Sequence, residues 1–455
     1  MQKTSANSTL TQGVIWRQIL SFFWPIVVGT FFQQLYNTAD AVIVGKSVGK
    51  EALAAVGGTT GTLINLLLGF FIGLSSGATV VISQYYGAEN EKGVSSAVHT
   101  AAALCLLSGF LLSVCGVMFA PWLLSLMSTP SDVLPHALPY LRIVFAGMIP
   151  VMVYNIGTGF LRAVGDSRNP LLILMVACFA NIALDLLLIV GFGMGTRGAA
   201  AATVLAQSVS AILVVHMLFE RKDGLRLYPS RIRFESRTLR SILRIGLPAG
   251  LQSVMYSLSN AMIQAAVNGF STDILAGWTA YGKIDGLYWM IVSAFGISIT
   301  TFVGQNWGAG QIPRARRAIR ECLAMTFGLT VLLVFFLLYR GELLLRLFTD
   351  SEDVIKQGMH IIRRMAPFFV AYIPIEILSG AMRGAGDSAA PTLMILVGVC
   401  LFRVIWVLLL APVYHSFDLV IASYPVTWIF TGMLFVFYYY FCSPFRRRKK
   451  AHGIS

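Results

Sequence analysis

From Ala52 to Ile82 the chain carries no charged residue. A helix rises 1.5 Å per residue, so ~20 apolar residues cross the hydrocarbon core of a bilayer. Twelve apolar blocks of that size can be read, at about 18–45, 52–82, 97–124, 137–160, 170–193, 198–219, 241–267, 274–303, 318–339, 358–382, 391–411 and 417–441. Only 12% of the 455 residues are charged and 56% are apolar, whereas a soluble domain carries roughly a quarter charged. The pattern predicts an all-α integral membrane protein with twelve transmembrane helices. A secretory signal is not expected, because the first block is too long, contains Asp40 and lacks a small-residue cleavage site.

The net charge of +14 is placed unevenly. Basic residues cluster where even-numbered spans exit: Arg162 and Arg168, then Arg221 to Arg244, then Arg314 to Arg320, then a tail from Arg446 to Lys450. The alternate loops are poorer or mixed, as at Asp350, Glu352, Asp353 and Lys356. The positive-inside rule then puts both termini in the cytoplasm of a multi-pass plasma-membrane protein. No stacking aromatics or readout motif accompany the basic run at 221–244, so no nucleic acid partner is expected. Six cysteines lie in or at the edge of spans without a C-x-x-C pair, which argues against disulfides and zinc.

The halves repeat. SQYYGA at 83–88 returns as GQNWGA at 304–309, and LRAVGDSRNP at 161–170 returns as MRGAGDSAAP at 382–391, both offset by 221 residues. Pro25 falls over Pro248 at a nearly equal offset. This predicts two homologous six-helix lobes, 1–219 and 241–441, a cytoplasmic linker at 220–240 long enough to cross beneath them without ordering them, and a basic tail at 442–455. Six is even, so the repeats are parallel and related by a pseudo-two-fold axis along the membrane normal, an arrangement suited to alternating access. Gly69, Gly73 and Gly77 are expected to allow close helix packing. The Gly165-Asp166 and Gly386-Asp387 pairs are expected to be structural turns.

Ionisable residues at bilayer depth cost at least ~2.5–3.5 kcal/mol each and so need a reason. Asp185 lies 15 residues past Pro170, about 22 Å along the helix. Asp40 lies 15 residues past Pro25 in a span running the same way, and Thr203 enters from the far side at a similar level. Asn181 shares a helix face with Asp185. Two carboxylates, an amide and a hydroxyl form a set of hard oxygen donors suited to Na⁺, or to a proton that neighbouring carboxylates share. A hydrogen-bonded cluster that only holds helices together is the alternative. Tyr36 extends the same face.

The second lobe differs. It places Asp285 and Lys283 in span 8, Glu376 in span 10 and Arg403 in span 11. Mixed signs suggest ion pairs such as Arg403 with Glu376 or Asp285, serving either as static pairs or as a substrate or proton site. Asn260, Gln264 and Asn268 form an i, i+4 ladder on span 7, facing either a cavity or another helix.

FFQQLYNTADAVIVG in span 1, ALAAVGG opening span 2, LRAVGDSRNP after span 4 and IDGLYWMIVSAFGISITTFVGQNWGAG in span 8 resemble, in order and spacing, the multidrug and toxic compound extrusion (MATE) transporters. The likeness covers nearly the whole chain. It implies a secondary antiporter exporting small amphipathic or cationic organic compounds in exchange for Na⁺ or H⁺, with no other cofactor, expected as a monomer. One family branch has its cation site in the first lobe, and its residues match Asp40, Asn181, Asp185 and Thr203, with Tyr36 and Asn155 in a wider network. The acid that the other branch carries on span 7 falls at Tyr256 here. A flippase for a lipid-linked or amphipathic metabolite is the nearer alternative. An ion channel or a membrane-embedded enzyme is the more distant one, the six histidines being scattered.

Overall fold

The computed structural model describes residues 10–414 and 416–446; the tail residues from Arg447 onward and His415 lie outside them. Among the described residues the long elements are all helices and no strand occurs. In chain order they are α1 (Ile15–Ser47), α2 (Lys50–Gly87), α3 (Glu91–Leu126), α4 (Leu134–Ala146), α5 (Met148–Ala163), α6 (Arg168–Gly191) and α7 (Gly195–Glu220). There follow α8 (Ser236–Val267), α9 (Thr272–Gly308), α10 (Ile312–Arg346), α11 (Glu352–Gly384), α12 (Ala389–Leu410) and α13 (Phe417–Phe441).

Ten of these helices are long and apolar enough to cross a bilayer, and the bent pair α4–α5 makes an eleventh. The expected seventh span is helical as α8, but Gln252, Asn260, Gln264 and three arginines dilute its apolar content and it falls short by composition. The pair α4–α5 bends by 52° at Gly147. Pro150 offers no N–H, and its ring would clash with the carbonyl of Ala146 in a continuous helix. The carbonyls of Phe145 and Ala146 accept instead from the Ser113 hydroxyl, at 2.7 and 3.0 Å.

The chain forms two compact units. The first holds Trp24–Gly250; the second joins Leu10–Phe23 to the residues from Leu251 onward. Helices α1 and α8 therefore each change unit partway, close to Pro25 and Pro248, the prolines that the repeat superposes.

In the first unit, α2 and the start of α8 cross backbone to backbone. A Cβ on Gly73 would lie 2.5 Å from the Cα of Gly250, and one on Gly77 would lie 2.7 Å from the Gly246 nitrogen. Lipid tails are as apolar as leucine, so helices gain little from apolar contact alone; small residues let them approach and gain dispersion energy. In the second unit α9 and α11 pack similarly, with Gly384 against the Thr300 carbonyl and Gly380 against that of Gly296.

The repeated turns have one geometry. Gly165 and Gly386 adopt φ of 91° and 88°. The Asp166 and Asp387 amides donate back to Leu161 and Met382, and the glycine amides to Arg162 and Arg383, at 2.9–3.0 Å. This is a Schellman cap, which satisfies the last carbonyls of a helix and favours glycine at the left-handed position.

The second copy of the hexapeptide motif also has a structural task. Gln305 and Asn306 are fully buried; the Leu10 amide donates to Gln305 at 3.0 Å and Asn306 donates to the Leu10 carbonyl at 3.2 Å. The linker after α7 is likewise held down. Leu225 is buried in the core of the first unit, and the Tyr228 amide donates to His99 Nε2 at 3.0 Å.

Candidate functional site

Three helices of the first unit carry the polar residues expected there: Tyr36 and Asp40 on α1, Asn181 and Asp185 on α6, and Thr203 on α7. Spacing of one turn places each pair on a single helix face. Asn181 and Asp185 are fully buried and Asp40 is 8% exposed. Asp185 lies close enough to Asp40 to feel its charge, and Tyr36 and Tyr140 lie within reach of both. Asp185 is also the last residue before a wider, π-helical turn over Leu186–Gly191, where the Phe192 amide reaches back five residues to Leu187. Such turns break the regular ladder and often accompany functional sites.

The side chains share an uncommon property. Asp40 Oδ1, both Asp185 oxygens, the Asn181 oxygen and nitrogen, Thr203 Oγ1 and Gln207 Oε1 are buried without a hydrogen-bond partner. Tyr36 stands beside the Thr203 hydroxyl, yet no bond of good geometry joins them. Each unsatisfied buried polar group costs about 1–3 kcal/mol. A cluster of them is costly unless something else supplies the missing partner. The free donors are oxygens of two carboxylates, two amides and a hydroxyl, a set suited to a hard cation and poorly suited to a soft metal. Among the described residues no group of three or more His, Cys, Asp and Glu could hold a metal ion.

Asn155 has a separate setting. Its amide donates to the Val151 carbonyl one turn back at 2.8 Å, and it lines a small cavity with Ser75, Ser108 and Ile242. Two neighbours of the cluster were not anticipated. Gln207 follows Thr203 by one turn, so its place on the polar face was readable from spacing. Tyr140 comes from α4, and nothing in the sequence links it to Asp40.

The second unit does not form the ion pairs expected of it. Asp285 accepts from Tyr281 at 3.0 Å and from the Trp289 indole at 2.7 Å. Glu376 accepts from Tyr372 at 3.4 Å, and Tyr372 meets Tyr256 at 2.9 Å. Arg403 is buried, donates to Thr427 at 3.1 Å and lies 4.0 Å from the ring centroid of Tyr424. Aromatic and hydroxyl groups thus take the place of opposite charges. Their rings pack closely, with Trp289 at 4.8 Å from Tyr372 and Trp428 at 5.8 Å from Tyr372. Asn260 and Gln264 are exposed, and Gln264 donates to Asn268 at 2.9 Å.

Known proteins share this fold. The MatE family model matches residues 25–187 and 248–409, one match in each repeat. The probable multidrug resistance protein YoeA of Bacillus subtilis (strain 168) is 28% identical over 387 residues, covering 84% of this chain and 83% of the relative. An FAD transporter of Shewanella oneidensis is 27% identical over 355 residues, covering 76% and 77%. Among solved structures, a MOP superfamily transporter from Pyrococcus furiosus superposes with a TM-score of 0.89 at 22% identity over all of both chains. An outward-facing multidrug resistance MATE family transporter gives 0.87 at 22% over 99% of each. The structural likenesses carry the fold; the family model covers most of the chain, in the repeat order its own halves display, and the chain belongs to the MatE family.

Proposed function

We propose that this protein is a secondary antiporter that exports small amphipathic or cationic organic compounds by alternating access, in exchange for Na⁺ or H⁺ bound at Asp40, Asn181, Asp185 and Thr203. The observation that carries the coupling site is the set of buried oxygens on three helices that lack a hydrogen-bond partner. A cation bound there satisfies them and draws α1 toward α6 and α7. Its departure leaves two buried carboxylates facing each other, an unfavourable state that a different packing of α1 relieves. Tyr36 and Tyr140 bound the site.

In this reading α8 also crosses the membrane, as the seventh span in chain order, and brings the total to twelve; its polar face is tolerated because it does not face lipid. Both termini are cytoplasmic in the plasma membrane, and the monomer is the working unit. Asp285, Glu376 and Arg403, with Asn260 and Gln264, are candidates for a substrate or second proton site. Carboxylates set among aromatic rings suit an organic cation, which gains from both charge and ring faces.

The test is efflux of a fluorescent organic cation from proteoliposomes containing the purified protein. Imposed sodium and proton gradients are compared separately with no gradient. Acceleration by one of them supports the proposal; equal rates under all three conditions refute it.

A further inference from the structure

Outside the helices, the linker after α7 folds against the start of α3 and encloses a pocket of about 650 Å³. Its floor is polar and fixed. His99 and Thr100 are buried. His99 Nδ1 lies 2.6 Å from the Ser95 carbonyl, while Nε2 accepts from the Tyr228 amide, which assigns the neutral Nδ1–H tautomer. Thr100 accepts from the Glu235 amide at 3.3 Å.

The walls are cationic. Lys92, Lys222, Arg226, Arg231 and Arg233 line the pocket, and among the described residues none of them pairs with a carboxylate. Two of the three pocket acids are already engaged. Asp223 is bridged by Arg221 at 2.6 Å, and Glu235 accepts from the Ser96 hydroxyl. Arg226 and Arg231 both lie over Tyr228, at 5.1 and 4.6 Å from the ring centroid. Tyr228 is held in turn by its amide bond to His99 and by stacking on the His99 ring, with centroids 6.1 Å apart. The scaffold therefore holds two guanidinium groups at one ring, neither of them in an ion pair among the described residues, beside the Ser95 hydroxyl, which meets His99 Nδ1 at 3.4 Å.

We propose that this pocket binds a phosphate-bearing anion, with Arg226, Arg231 and Arg233 contacting the phosphate and Ser95 donating to it. Planar guanidinium groups match phosphate oxygens two at a time. The phosphate belongs either to an anionic lipid headgroup or to a soluble phosphorylated compound. The bland explanation of a basic linker is a diffuse field that sets topology. That field does not require arginines fixed over a tyrosine that is itself tied to a buried histidine.

The experiment measures hydrogen exchange of the Leu225 and Tyr228 amides in the full-length protein reconstituted in phosphatidylcholine vesicles. One arm adds inorganic pyrophosphate. The other replaces about a third of the lipid with phosphatidylglycerol, against which each basic residue contributes about a fivefold change in affinity. Exchange slowed at least fivefold in either arm is expected, and the effective arm identifies the source. The triple variant Arg226→Gln/Arg231→Gln/Arg233→Gln should lose the protection. A variant of equal charge loss outside the pocket, Arg237→Gln/Arg240→Gln/Arg244→Gln, should keep it. Should the first triple variant fail to fold, Arg231→Gln alone is expected to weaken protection about fivefold. No protection in either arm overturns the proposal, as does equal loss in both triple variants.

Discussion

The crossing of α2 with α8 makes Gly73→Ala a demanding test of the fold. A Cβ at that position would lie 2.5 Å from the Cα and nitrogen of Gly250 and 2.6 Å from the Ala249 carbonyl carbon. Carbon atoms in contact sit about 3.5–4.0 Å apart, so the helices must separate by roughly 1 Å. Overpacking of this kind costs about 1–3 kcal/mol. The upper end applies because the atoms met are backbone and cannot rotate away. Alanine returns about 1 kcal/mol through its helix propensity, leaving a net loss of about 2 kcal/mol. For a body the size of the first unit this lowers the melting temperature by about 4–8 °C. Thermal unfolding in detergent, followed by tryptophan fluorescence, measures it. Gly328→Ala is the control, since nothing lies within 4 Å of a Cβ there, and its melting should be unchanged or slightly raised. A Gly73→Ala protein as stable as wild type would refute the close crossing.

Further substitutions probe three other joints. Ser113→Ala removes the donor that satisfies the Phe145 and Ala146 carbonyls at the α4–α5 bend, and should cost about 1–2 kcal/mol in the same melting assay, with Ser113→Thr close to wild type. Gly165→Ala and Gly386→Ala each force a Cβ into the left-handed region at φ near 90°; each should cost about 1–2 kcal/mol, and a marked inequality would contradict the shared cap. His99→Ala unties Tyr228 from α3 and should speed proteolysis within 222–235 by roughly tenfold, as read by mass spectrometry of the fragments, without changing cleavage elsewhere.

Much of this architecture was legible because the bilayer restricts what the chain can do. Each apolar block had to become a helix, and the repeat told which turns would share a geometry. Helix rise and span direction alone put Asp40, Asp185 and Thr203 at a similar level. Other features depended on partners that periodicity cannot identify. The Gly147 bend follows from Pro150 together with Ser113 on another helix. The expected Arg403 ion pairs gave way to Tyr281, Trp289, Tyr372 and Tyr424, whose hydroxyl, indole and ring groups read in sequence as ordinary apolar content. Asn155 turns its amide onto its own helix, a choice that spacing does not reveal. The linker looked like a plain polar crossing because the buried His99 that anchors it lies more than a hundred residues upstream.

The central claim is that the buried oxygens of Asp40 and Asp185 hold the coupling cation. It is tested most directly by gradient-driven efflux from proteoliposomes containing wild-type, Asp40→Asn or Asp185→Asn protein, each checked for equal incorporation. Downhill, gradient-free exchange of substrate is measured alongside. The account predicts that either substitution abolishes the acceleration given by the cation gradient while downhill exchange persists. Full gradient-driven efflux by either variant would contradict it.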